Sequence, residues 1–310
     1  MINRELIRIK VVQLVYAYYG NEGKTMEAAE KEFMFSLDKA YELYHTLLLL
    51  IVSLTHMATR IVEMQQSRAR RLNEPGVVST KFVENRFVAQ LRMNEELAAF
   101  QESQSVIWGD EEDFLRRIYT RITEQDFYQA YIASGKSSYE EDRELWRQIY
   151  RKLLTNNEEL DDILEERSLY WNDDKSIVDT FVLKTIRRFD ASNGAQQKLL
   201  PEFKDDDDIE FARTLFRTAI DSEGYFRQLV EEQTEHWDLE RIAQMDLIIM
   251  QVALAEITSF PEIPLSVSIN EYVELAKMYS TPRSSGFING MLDTMAKRLL
   301  NEGRLVKKAL

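Results

Sequence analysis

Apolar residues recur at three- and four-residue intervals along almost the whole chain, and no stretch sustains the alternation of a strand. Only 10 Gly and 5 Pro interrupt the pattern, which predicts an all-α protein. Helices are expected over residues 3–20, 26–70, 80–104, 110–134, 138–155, 157–170, 173–190, 206–219, 222–236, 239–258, 267–279 and 283–301. The second is long for a globular helix and reads as two helices or one kinked helix. Small and polar residues break the period at Asn73-Glu-Pro-Gly76, Gly109-Asp110, Ser134-Gly-Lys136 and across 192–201.

The first helix is apolar on two sides, with Ile7, Val11, Leu14 and Tyr18 on one and Ile9, Val12 and Tyr16 on another, so it belongs inside a bundle. Arg4 and Arg8 lie four residues apart and share a face. Near the other end, Ser268 and Glu271 have capping-box spacing, and Thr281-Pro282 fits an N-cap followed by an N1 proline. Asp238 fits a cap for the helix at 239, with Trp237 and Ile242 as a hydrophobic staple. Gly290 falls in the middle of the last helix at a cost of roughly 1 kcal/mol against Ala, which predicts a neighbouring helix crossing close by.

The 310 residues, 45% hydrophobic, suffice for one large or two ordinary cores. There is no cysteine, which excludes disulfides and thiolate chemistry and suits a reducing cytoplasm. Arg4, Glu5, Arg8 and Lys10 run through the first apolar positions, unlike a signal peptide. Residues 47–54, the most apolar stretch, are far short of a span of about 20 residues and read as a buried helix turn. The net charge of −14 argues against nucleic acid, but its distribution changes the picture. Residues 1–20 carry three basic side chains against one acidic, and residues 266–310 carry seven against four. An anion-binding surface is therefore expected where the two ends of the chain meet, with an acidic middle.

Residues 145–171 and 211–237 align without a gap at an offset of 66, pairing Arg147 with Arg213, Arg151 with Arg217, Glu165 with Glu231 and Trp171 with Trp237. Duplication and chance likeness between two Glu/Arg-rich helix pairs are both open.

The phrase Ile263-Pro-Leu-Ser-Val-Ser-Ile-Asn-Glu-Tyr-Val-Glu-Leu-Ala-Lys277, with Phe287-Ile-Asn-Gly-Met-Leu-Asp293 after it, resembles the C-terminal signature of the NusB transcription antitermination factors. Val11-Val-Gln-Leu-Val-Tyr-Ala-Tyr18 resembles that family's first helix, and the likeness resumes over about 205–300. The resemblance implies a NusB-like helical bundle with an added helical module. Residues 1–35 and 205–310 would form the bundle, and 36–204 an insertion or enlarged N-terminal subdomain.

The resemblance also implies RNA binding: boxA-type single-stranded leader RNA of ribosomal transcripts, held together with the ribosomal protein NusE within an antiterminating RNA polymerase complex. The positions matching the family's RNA surface are Arg4, Arg8 and Phe287, and Lys10 and Arg283 are further candidate RNA-binding cations. Two positions often basic in relatives hold Glu5 and Leu6, and Arg283 stands where relatives often carry an acid. An aromatic beside arginines suits stacking plus phosphate neutralisation. Phe287 also fits an ordinary core side chain. The alternative function is a protein-interaction scaffold on the same fold, with weak or lost RNA binding and the acidic insertion docking protein.

No catalytic constellation is apparent, so no enzyme activity, cofactor or metal is expected. His45 and His56 are about 16 Å apart by helical rise, too far for one metal, and His236 stands alone. Glu42-x-x-His45 has the spacing of one of the two Glu-x-x-His motifs of a di-iron carboxylate site, and the second motif is absent. Asp205–Asp208 and Glu111–Asp113 read as helix N-terminal charges. No parallel-sheet pattern precedes the signature, unlike the RNA cytosine methyltransferases that carry a NusB-like domain.

Overall fold

A computed structural model describes residues 1–21, 23–73, 78–103, 107–136, 138–234 and 242–307. Nearly all of these are helical, and the β pairing among them is an isolated parallel bridge between Ile2 and Phe203. The proposed cap at Asp238, the staple at Trp237, His236 and the Trp171/Trp237 pairing involve residues outside those described. The chain divides into two compact units, residues 2–38 with 203–310, and Met1 with 39–202.

In the first of these units α1 (Arg4–Gly20) packs against α10 (Asp206–Asp221) and α12 (Gln244–Ser259). Asn3 caps α1 by accepting from the Leu6 amide at 2.9 Å, and Asp205 caps α10 by accepting from the Asp208 amide at 3.2 Å. The centre is α12, buried continuously from Ile248 to Ile257, and α10, α11 (Glu223–Gln233), α13 (Leu265–Tyr279) and α14 (Ser284–Asn301) surround it with α1. A helix apolar all round has no stable solution except this one. The first turns of α2 (Met26–Leu72) close the unit, with Phe33 stacked on Phe216 at 4.7 Å.

Residues 39–202 form the second unit. It holds the rest of α2, then α3 (Arg86–Arg92), α4 (Glu95–Ser103), α5 (Glu112–Thr123), α6 (Asp126–Ala133), α7 (Tyr139–Ile149), α8 (Glu158–Arg167) and α9 (Lys175–Arg188). Trp108, Trp146, Tyr44 and Tyr150 fill its core. Tyr41 and Leu200, near the two points where the chain enters and leaves, meet directly: the Tyr41 hydroxyl donates to the Leu200 carbonyl at 3.0 Å.

Several expected boundaries change for identifiable reasons. The second helix is a single one of 47 residues, because residues 26–72 contain neither Gly nor Pro. Among the described residues it is the one helix long and apolar enough to cross a membrane by length and composition, and Leu43, Leu47, Leu50, Ile51 and Leu54 are buried inside the unit. The helix expected over 80–104 splits at Asn94, whose side chain accepts from the Leu97 amide at 3.0 Å, while Asn85 accepts from Val88. Asparagine ends helices by such local bonds. The helix expected over 110–134 breaks at Glu124-Gln125, and that over 138–155 widens after Ile149 into a π turn, Tyr150–Leu154. In the two aligned segments the break between helices falls at Asn156 and at Ser222, which correspond at the offset of 66.

Glu42-x-x-His45 serves packing. The His45 ring stacks on Phe100 at 4.5 Å with Nδ1 2.9 Å from the Tyr41 carbonyl, and burial pushes its pKa below the ordinary value. The unfolded chain takes up this proton near pH 6.5. The folded protein resists it, so the His45 contribution is intact above that pH and is lost progressively below it. The urea midpoint of the parent is expected to fall between pH 7 and 5.5 more steeply than that of His45→Gln. Equal slopes would remove His45 as the cause.

Candidate functional site

Arg8 lies inside the unit built on α1 and α12, 5% exposed. Its Nε donates to Glu256 Oε2 at 2.7 Å and its Nη2 to Oε1 at 2.9 Å, a two-pronged pair. Ser268 Oγ donates to Oε1 at 2.8 Å and the Tyr272 hydroxyl to Oε2 at 3.0 Å, so each oxygen of the fully buried Glu256 accepts twice. Arg8 Nη1 reaches Glu271 Oε2 at 3.1 Å. Burial opposes the arginine charge, but the bonds and charge of Glu256 outweigh it and hold the Arg8 pKa above its usual value. Burial, then Glu256, pushes the Tyr272 phenol well up.

This network corrects two sequence expectations. Ser268 and Glu271 form no capping box: α13 starts at Leu265, and the two side chains serve Glu256 and Arg8 instead. Arg8 does not face solvent, and Lys10 is buried too, at 2% exposure. Neither offers its charge to an outside phosphate. Arg4 is held more loosely. Its side chain is 37% exposed, its Nε lies 3.4 Å from Asp208, and its guanidinium sits 4.8 Å from the centre of the Phe211 ring that Arg8 also approaches, at 5.5 Å.

A second polar cluster fixes the turn between α13 and α14. Asp246, buried on α12, accepts from Ser280 and, at 2.8 Å, from Ser284, which sets the start of α14 two residues after Pro282. The opening of α14 leaves Arg283 and Gly286 exposed and Phe287 half-buried. No carboxylate among the described residues pairs with Arg283. A Cβ added at Gly286 or Gly290 would meet nothing within 4 Å. The close helix crossing expected at Gly290 is therefore absent, and the backbone there is open to the outside. Gln13 of α1 donates to the Tyr279 hydroxyl at 3.1 Å, tying α1 to this turn. One turn further along α1, Tyr16 is 43% exposed, which corrects its expected place on the second apolar side of that helix beside the buried Ile9 and Val12.

Among the described residues no three His, Asp or Glu side chains gather as a metal site. Asp205–Asp208 and Glu111–Asp113 stand at the first turns of α10 and α5.

Residues 180–297 match the model of the NusB family. The transcription antitermination protein NusB of Salinibacter ruber is 35% identical over 132 residues, covering 41% of this chain and 82% of that protein. The NusB of Geotalea daltonii is 32% identical over 133 residues, covering 43% of this chain and 89% of its own. A solved structure of T. maritima NusB aligns with 37% of this chain and 72% of its own at 30% identity, with a TM-score of 0.29. With most of a curated relative covered at this identity, the chain belongs to the NusB family, and it carries a large additional helical module.

Proposed function

We propose that this protein acts in transcription antitermination by binding boxA-type single-stranded RNA together with NusE. The observation that carries the reading is the face of α14 where Arg283, Phe287 and the bare backbone at Gly286 and Gly290 lie together, tied to α1 through Gln13 and Tyr279. An arginine without an internal carboxylate supplies phosphate neutralisation. A half-buried ring supplies a stacking platform, and glycines in an exposed helix let a ligand approach the backbone. Arg4, half exposed, adds charge at the start of α1.

Filter binding of boxA-like RNA, with and without NusE, tests this. Phe287→Ala is expected to weaken binding by about 1–3 kcal/mol, the worth of one stacked base. Arg283→Gln should lower the salt slope by about 0.7. Gly290→Ala should stabilise the fold by up to about 1 kcal/mol while weakening RNA. Parent-like binding in all three variants would place the RNA elsewhere.

A protein-docking role for the added module is favoured by α8, where Glu158, Asp162, Glu165 and Glu166 face outward and Leu169, just beyond, is 81% exposed. Such a surface attracts basic proteins. Neutralising these four carboxylates should slow NusE association if this face receives it, and an unchanged on-rate rules that partner out.

A further inference from the structure

We propose that the added module carries a single-stranded RNA surface of its own, running from a cleft between α2 and α3 along α2 to the arginines of its last turns. All of it lies within residues 39–202.

The cleft has a volume of about 830 Å³ and is lined by Val52, His56, Val88 and Trp108, among others, with two basic residues, Arg60 and Arg92, and two acidic ones, Glu84 and Glu112. That is the size and mixed character of a site for a flat organic group. Arg60 at its edge is held by Glu112 at 2.6 Å, whereas Arg92 is exposed and pairs with no carboxylate among the described residues. Ser53, Arg60, Ser67 and Arg71 are separated by seven, seven and four residues, so they follow one line along the helix. That line leads from the cleft to Arg68-Ala-Arg-Arg71.

What sets the last arginines of α2 apart is that three of them stand within four residues; Arg92, Arg116, Arg121 and Arg151 of this unit are also exposed without a carboxylate partner among the described residues. Arg60, Arg117, Arg147 and Arg167 each pair with a glutamate. Arg68, Arg70 and Arg71 are all exposed, no carboxylate among the described residues pairs with them, and the Nε of Arg71 only caps its own helix at Ser67 O, 3.3 Å away. Residues 64–73 contain three arginines and no acid, with Glu63 and Glu74 flanking the stretch and the exposed Glu63 lying on the line between Arg60 and Ser67. The net charge of the insertion suggests that it repels phosphate; locally the opposite holds. Arginine at a helix C-terminus also complements the helix dipole, but that effect is confined to the last turn and does not need three.

Arginines alone would suit any polyanion. The adjoining cleft selects a strand with unpaired bases, because a base swung out of the backbone fills it while the guanidinium groups take the phosphates on either side. An acidic peptide would satisfy the arginines and leave the cleft empty. This inference rests on the proposed function for one point only, that RNA is the polyanion the protein meets.

The test uses the full chain with two RNAs, a boxA-like strand of about 12 nucleotides and the same strand with an unstructured tail of about 15. The triple variant Arg68→Gln/Arg70→Gln/Arg71→Gln is compared with the parent and with the corresponding triple lysine variant, each checked for parent-like melting. The expected result is that the glutamine variant binds the tailed RNA on the order of tenfold more weakly, with a salt slope lower by about 2. The short RNA is held as before, and the lysine variant recovers the tailed one. Parent-like binding of both RNAs by the glutamine variant overturns the surface and leaves the α14 reading intact. Loss of a polyglutamate peptide but not of RNA also overturns it, in favour of a protein site. If the parent holds neither RNA, both proposals fall.

Discussion

Glu256→Ala is expected to destabilise the protein by about 3–5 kcal/mol, because it leaves the Arg8 charge buried with only the half-exposed Glu271 to answer it. At about 2–4 °C per kcal/mol for a domain of this size, the melting temperature should drop by roughly 10 °C or more. Arg8→Ala should cost a similar amount, since Glu256 would then keep only Ser268 and Tyr272 in a site with no solvent. Replacing both with apolar residues, Arg8→Met with Glu256→Leu, is expected to recover much of the loss. RNA affinity of Arg8→Ala, measured below its unfolding transition, should keep the parental salt slope, because this guanidinium touches no outside phosphate. A variant that melts like the parent yet loses salt slope would return Arg8 to the RNA surface.

The second large effect is expected in the other unit. Lys175 is buried among Asp179 at 2.9 Å, the Leu154 carbonyl at 2.9 Å and Asp161 at 3.3 Å, and the Tyr150 hydroxyl donates to the remaining Asp179 oxygen at 2.7 Å. Burial raises the Asp179 pKa despite Lys175 and Tyr150. The sign matters. A carboxyl with a raised folded pKa contributes most below its unfolded value near 3.9 and loses that contribution as pH rises through the folded one, so mild acid does not undo this cluster through Asp179. Asp179→Ala strands an ammonium group and should cost about 3–5 kcal/mol. Lys175→Met leaves a carboxyl already biased towards its neutral form and should cost less. Three of the four tryptophans, Trp108, Trp146 and Trp171, lie in this unit, so tryptophan fluorescence of a Trp237→Phe background in urea reports its transition. Equal midpoints for Asp179→Ala and the parent would remove the cluster as a stabilising element.

Helix content and the placement of α1, α10, α12, α13 and α14 were legible from periodicity, because burial on one or more faces leaves a mark on every third or fourth residue. Partners leave no such mark. Arg8 looked like a surface cation since arginine is seldom fully buried, and its partner Glu256 sits 248 residues away in a stretch that reads as continuous apolar core. Ser268 and Glu271 imitate a capping box because the spacing that serves a helix start also places two side chains on one face, here toward Arg8 and Glu256. Helix breaks at Asn94 and Gln125 were missed, as both residues are tolerated within helices; at Asn94 the side-chain bond to the Leu97 amide shows the break, whereas Gln125 makes no cap bond and its side chain only donates back to the Arg121 carbonyl. Phe287 was legible only through the family resemblance; its exposure, and that of Gly290, needed coordinates. Arg68, Arg70 and Arg71 were plain in the sequence but concealed by averaging charge over the whole insertion.

The meeting of Tyr41 with Leu200 has a consequence for how the chain matures. During synthesis α1 leaves the ribosome first, yet α12, which covers it, emerges roughly 10–50 s later at ordinary elongation rates. Meanwhile residues 39–202 are contiguous and free to fold on their own schedule. Once they do, the hydrogen bond between Tyr41 and Leu200 brings the outgoing strands of chain side by side, and the long loop becomes, for polymer purposes, a short turn. Loop-closure theory values that shortening at about 3 kcal/mol of search entropy. If the inserted unit folds before α12 emerges, it is expected to clasp the chain on either side of it and shorten the search by which α1 and α10–α14 find each other.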